Sequence, residues 1–139
     1  IGAEIMGAGK FGYPGWHEDP AWKGWWGDEP PFHTPVFVLT HHPRPSIEMK
    51  GGTTFHFLDA APAEALETAR DAASGQDVRI GGGPTTLRDF LAAGLVDHAH
   101  IVVVPRSCSA EECASGTDWR ASRRTTRSRP PPRPAESRM

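Results

Sequence analysis

Val78-Arg79-Ile80-Gly81-Gly82-Gly83-Pro84-Thr85-Thr86-Leu87 reads as a strand, a triple-glycine turn and the start of a helix. Val78 and Ile80 are β-branched and favour an extended backbone, while three glycines allow conformations that a Cβ forbids. Pro84 suits a first helical position, where its missing N–H costs nothing. Leu87, Phe90, Leu91 and Leu95 recur at helical spacing and Gly94 supplies a stop, so the pattern predicts a helix over 84–94. Bare glycine backbone running into a helix N-terminus is a seat for a phosphate or pyrophosphate. A tight strand-to-helix connection with no ligand explains the same glycines. The stretch by itself leaves both readings open.

Upstream, Asp77–Ile80 is the strand that feeds this turn, and residues 62–74 read as a helix. Pro62 stands near its start, and Leu66, Ala69 and Ala73 fall on one face. Thr54-Phe55-His56-Phe57-Leu58 is a strand with both phenylalanines on one side. Val36-Phe37-Val38-Leu39-Thr40 is an almost unbroken apolar run, as in a strand covered on both faces. It ends in Thr40-His41-His42-Pro43-Arg44-Pro45, a loop because two prolines interrupt it. Residues 2–7 read as a short strand entering a glycine-rich turn, Gly7-Ala8-Gly9-Lys10. Residues 12–35 are irregular, with five prolines and Trp16, Trp22, Trp25 and Trp26. Those aromatics either cover a ligand or pack the loop onto the core; packing is the expectation. Downstream, His98 to Val104 reads as another buried strand. The order of elements predicts an α/β sheet with parallel crossovers.

The chain has 139 residues, 37% of them hydrophobic and 23% charged, with a net charge of −2. That composition suits one globular domain and carries no general pull toward nucleic acid or membrane. No apolar run approaches the roughly 20 residues of a membrane span. Averages hide a break at Pro105. Residues 1–105 carry seven Lys and Arg against thirteen Asp and Glu, a net of −6. Residues 106–139 carry eight Arg against four acids, a net of +4, and contain no Leu, Ile, Val, Phe or Tyr. Such a segment cannot bury enough surface to offset ordering entropy, so a disordered Arg/Ser/Pro-rich tail is expected. An abrupt change of this kind is also what GC-rich DNA yields when read out of frame. Cys108 and Cys113 both lie in the tail without a second Cys/His pair, which argues against zinc. The chain opens on Ile1, which leaves room for residues upstream.

Three loops follow strand ends: Gly7–Lys10, Thr40–Arg44 and Gly81–Thr86. In open α/β sheets ligands sit outside the carboxyl ends of strands, and three such loops suit a long anionic ligand such as a dinucleotide. The hydroxyl of Thr40, the imidazoles of His41 and His42 and the nearby Arg44 could hold a ribose phosphate or an adenine. The fingerprint G-x-G-x-x-G is absent, so this is not a standard Rossmann site. Seven histidines lack ligand spacing, and no metal is expected. There is no G-x-S-x-G and no cysteine nucleophile in residues 1–105, so hydrolase chemistry has no support.

Ile5-Met6-Gly7, then Val38-Leu39-Thr40-His41-His42-Pro43-Arg44-Pro45, then Ile80-Gly81-Gly82-Gly83, resemble in order and context the dihydrofolate reductase-like superfamily. The chain is most similar there to the reductase domain of bacterial riboflavin biosynthesis (the RibD C-terminal type), over about residues 1–105. The resemblance implies a three-layer α/β sandwich with a central, mainly parallel sheet, incomplete at both ends in this chain. It implies an NADPH-dependent reductase acting on a pteridine-like or pyrimidine substrate, bacterial and cytoplasmic, with homodimers common among relatives. It implies that the triple-glycine turn includes a cis Gly–Gly peptide. It places Gly81, Gly82, Gly83, Thr85 and Thr86 at the cofactor phosphates and Thr40, His41 and His42 at the adenosine end. Gly7 falls in a second phosphate-facing turn. There the family usually has an arginine after the glycine; this chain has Ala8, with Lys10 as the substitute charge. No catalytic residue can be named, because the resemblance puts the segment that lines the nicotinamide upstream of Ile1. A truncated reductase of weakened activity is one expectation. A non-enzymatic cofactor-fold remnant, whose basic tail binds RNA or another polyanion, is the other. Binding through the tail would weaken steeply with salt and vanish on deleting 106–139.

Overall fold

Val36, Phe37 and Val38, and on the adjacent strand Ile5 and Met6, are apolar at consecutive positions, a pattern that is stable only when both faces of a sheet are covered. The computed structural model of the chain describes residues 1–102. In it β1 (Ala3–Gly7), β2 (Pro35–Leu39), β3 (Ile47–Glu48), β4 (Thr54–Leu58) and β5 (Val78–Ile80) form one sheet in the order β3-β4-β2-β1-β5. The pairs β4·β2, β2·β1 and β1·β5 are parallel; β3 alone is antiparallel, against β4. This is the α/β, mainly parallel arrangement of the dihydrofolate reductase-like fold.

Alternate residues of each strand sort the core into two layers. Ala3, Ile5 and Phe37 meet Ala65, Leu66, Ala69 and Ala73 of and beside α2 (Pro62–Ala72), together with Phe90 of α3 (Pro84–Ala92). Met6, Val36, Val38, Phe55 and Phe57 point the other way. No long helix covers that second face among the described residues. Phe11 and Trp16 do, with Trp22, Trp26 and Phe32 packed around them. Phe11 lies edge-on to Trp16, Phe55 and Phe57, with ring centroids 4.9, 5.1 and 5.2 Å away. Each fully buried aromatic contributes about 1.5–3 kcal/mol by burial alone. The tryptophan-rich loop is therefore the third layer of the sandwich, as the packing reading expects; Trp25 alone stays largely exposed.

Arg44 secures that layer. Its guanidinium lies 4.7 Å from the Phe57 ring centroid and 5.1 Å from that of Trp16. It donates to the carbonyls of Asp19 (3.3 Å) and Trp22. Burial among these rings pulls its pKa below the usual arginine value, and the Asp19 carboxylate pulls the other way.

Three elements differ from the sequence reading. Gly7–Lys10 is not a plain turn: Ala8–Phe11 closes into one helical turn, α1. Phe11 must point into the aromatic layer, and a helical turn delivers it there. β3 is a two-residue strand without a periodicity to read, held by its pairing with β4. Residues 98–102 form no strand, and Ile101 and Val102 are exposed. An apolar run becomes a buried strand only beside a neighbour, and among the described residues β5 pairs on one side only, with β1. Val103 and Val104, the boundary at Pro105 and the basic tail lie outside the described residues.

Candidate functional site

The carboxyl ends of β4, β2, β1 and β5 stand in a row. At adjacent-strand spacing they span about 14 Å. A cleft of about 640 Å3 runs along them. Its wall at the β1 and β5 end is made of two glycine loops tied into one unit. Gly7 N–H donates to Gly82 O at 2.8 Å, and Gly81 N–H donates to Ile5 O at 2.8 Å. The Gly82–Gly83 peptide is cis, as the resemblance implies, and Gly82 has φ +94°. A Cβ on Gly7 would overlap Thr86 Oγ1, so the two loops approach as closely as they do only because that Cβ is missing.

Beyond the glycines, α3 begins with Pro84 and has no side-chain cap. The first helical bond runs from Leu87 N–H to Gly83 O. The Thr85 and Thr86 N–H groups thus have no partner within the helix, and they sit at the positive end of its dipole. Thr85, Thr86 and Gly83 all line the cleft. This wall therefore carries positive potential and free donors.

The opposite wall follows β2 and β4. Thr40 is buried, donates its N–H to Leu58 O at 2.8 Å and accepts from His42 N–H on its Oγ1 at 3.1 Å. His41 Nδ1 lies 2.9 Å from Asp59 Oδ1. The His42 ring stacks on that of His17, 3.8 Å between centroids and 4° from parallel. His41, His42 and Asp59 line the cleft.

Eight of the ten residues expected at the site from sequence line this cleft: Gly7, Lys10, Thr40, His41, His42, Gly83, Thr85 and Thr86. Gly81 and Gly82 do not. Gly81 instead lies over the Glu4 carboxylate and the Lys10 ammonium, where a Cβ would overlap both. Gly82 supplies the carbonyl that holds Gly7. Lys10 reaches the cleft with its charge already engaged, its Nζ 3.0 Å from Glu4 Oε1. Arg44 faces away, bound into the aromatic layer, and is not available to a phosphate.

Sequence reasoning missed Glu4, Asp59 and His17. Glu4 is only 1% exposed and pairs with both Lys10 and Arg79; Arg79 Nε donates to its Oε2 at 2.9 Å. The visible signal was one acid inside the apolar run Ala3–Met6. Asp59 directly follows β4, so the strand-end rule that found the other loops would have found it too. Nothing in the spacing of His17 announces its stack on His42. Among the described residues, no group of three His, Cys, Asp or Glu side chains could hold a metal, and no helix is long and apolar enough to cross a membrane.

Comparison with protein-family models matches residues 16–108 to the RibD C-terminal domain. The chain belongs to the RibD C-terminal domain family. No curated protein matches it. The family is one of reductases of the riboflavin-biosynthesis type, with a small-molecule substrate. The matched span holds Thr40–His42 and Gly81–Thr86, two of the three strand-end loops at the RibD C-terminal cleft described above. Gly7 and Lys10 precede it.

Proposed function

We propose that the chain is an NADPH-dependent reductase that transfers a hydride to a pteridine-like or pyrimidine substrate. The observation that carries this is the cleft along four parallel strand ends, with two glycine loops hydrogen-bonded together beside the uncapped N-terminus of α3. The residues present fit the dinucleotide part of such a cofactor. The seat between Gly7, Gly83 and α3 exists because side chains are absent, and it offers free N–H groups to a pyrophosphate. Thr85 and Thr86 would receive the phosphates. Thr40, His41 and His42, two strands along, would meet the adenosine end, with an imidazole face to pack an adenine.

NADPH, when bound, supplies the hydride; the protein contributes orientation and electrostatics. Thr40 fixes the β2 loop by its two hydrogen bonds, which holds His42 at the cleft wall. The Gly7–Gly82 and Gly81–Ile5 bonds keep the phosphate seat rigid. Residues 1–105 would form the reductase domain and 106–139 a basic extension, in a cytoplasmic protein. NADPH oxidation, followed by loss of its absorbance with a pterin or an aminopyrimidine present, tests the reading. Turnover that requires both components supports it; cofactor oxidation indifferent to every such acceptor contradicts it.

A further inference from the structure

We infer that Asp59 is a specificity-determining residue that acts against a 2′-phosphate, so that NADH is accepted about as well as NADPH. The inference rests on the dinucleotide reading just given and concerns the far end of the same cleft. A pyrophosphate seated between β1 and β5 leaves the rest of a nucleotide to run over β2 toward β4, about 10 Å along the row of strand ends. The ribose then lies beside His41 and Asp59. A phosphate on its 2′-oxygen needs a cation there, whereas a bare 2′-hydroxyl needs an acceptor.

Among the described residues, the structure supplies the acceptor and withholds the cation. Asp59 Oδ1 takes the His41 Nδ1 contact at 2.9 Å, and its carboxylate still has lone pairs to spare. Arg44 is the one arginine of the Thr40–Pro45 loop, and its guanidinium is committed to Asp19 O, Trp22 O and three aromatic rings. Lys10 is held by Glu4 at the opposite wall. The N-terminus of α2 adds some positive potential near Asp59, and Glu64 in its first turn offsets it. His41 Nδ1 stands 2.9 Å from that carboxylate, so the ring brings no unpaired cation. Among the described residues, the charge facing a 2′-phosphate is therefore negative.

Intrinsic tryptophan fluorescence titrations with NADPH and with NADH, on the full chain at neutral pH, test this. Wild type is expected to bind the two within about threefold of each other, the scale of an exposed charge contact. Asp59→Asn keeps an acceptor but removes the charge; it should tighten NADPH about threefold and leave NADH within about twofold. Asp89→Asn, which removes a cleft-lining charge beside the phosphate wall, should shift both dinucleotides by the same factor. Wild-type preference for NADPH of tenfold or more, or an Asp59→Asn effect equal for both ligands, overturns the inference. Failure of both dinucleotides to bind overturns the dinucleotide reading itself, and the inference with it. Circular dichroism of each variant confirms that the fold is kept.

Discussion

Replacing Glu4 by glutamine should unfasten the floor of the proposed phosphate seat. Glu4 is 1% exposed and accepts from Lys10 Nζ at 3.0 Å and from Arg79 Nε at 2.9 Å. Glutamine keeps the volume and one acceptor oxygen but loses the charge, and its amide N–H2 would face one of the two cations. Charge-assisted hydrogen bonds contribute about 1.5–3 kcal/mol each. Lys10 and Arg79 are 31% and 54% exposed, so each can recover part of that from water, and solvent screening discounts the pair further. A net loss of about 2–3 kcal/mol remains. For a unit of this size that is about 10 °C in Tm, read by thermal melting followed by circular dichroism. Because Glu4 is buried, the loss should persist at high salt. A double-mutant cycle with Lys10→Met isolates the Glu4–Lys10 contact, which should couple by at least about 0.5 kcal/mol. A Glu4→Gln melt within about 2 °C of wild type would refute the reasoning.

Three further substitutions follow from the same geometry. Gly7→Ala puts a methyl onto Thr86 Oγ1 and should cost about 1–3 kcal/mol in chemical denaturation; adding Thr86→Ala should recover most of it, and additive losses would contradict the contact. Arg44→Met keeps the apolar stem but drops the donors to Asp19 O and Trp22 O, so the Trp loop should loosen, with faster proteolysis within 12–35 and about 1–3 kcal/mol lost. Unchanged proteolysis would mean the loop is held by its aromatic contacts alone. Ala8→Arg supplies the arginine that the resemblance expects after Gly7. It should tighten dinucleotide binding about threefold to tenfold at low salt, with the gain shrinking as salt rises. No gain at low salt would place the phosphates elsewhere.

Much of the fold was legible because strong local patterns agreed with it. Val36–Leu39 and Thr54–Leu58 are β-branched or aromatic at alternating or consecutive positions, and both became central parallel strands. Leu66, Ala69 and Ala73 marked the buried face of α2. The failures share a cause: in each, a tertiary neighbour decides the outcome. Ile47–Glu48 is a strand only because β4 offers an edge, and Ile101–Val102 is not one in the absence of such a partner among the described residues. Glycines hid the helical turn Ala8–Phe11, which forms because Phe11 has a pocket to fill. At the site, loops that follow strands were found by their position, but charge pairing was not. Lys10 and Arg44 read as free cations from sequence, and both are engaged by groups distant in the chain or in another loop. Asp59 escaped notice because a lone acid after a strand is usually a solvated surface charge.

Thr85→Glu separates the proposed anion seat from mere loop geometry, because its two effects have opposite signs. A carboxylate in the first turn of α3 complements the helix dipole and should hold stability level or raise it by up to about 1 kcal/mol. The same carboxylate would stand where a phosphate is proposed to bind. Titrating wild type and Thr85→Glu with NADPH, with melting curves alongside, is the most direct measurement. The account predicts saturable binding by wild type, at least tenfold weaker binding by the variant, and an equal or higher Tm. Equal affinity in the two proteins, both folded, would contradict it.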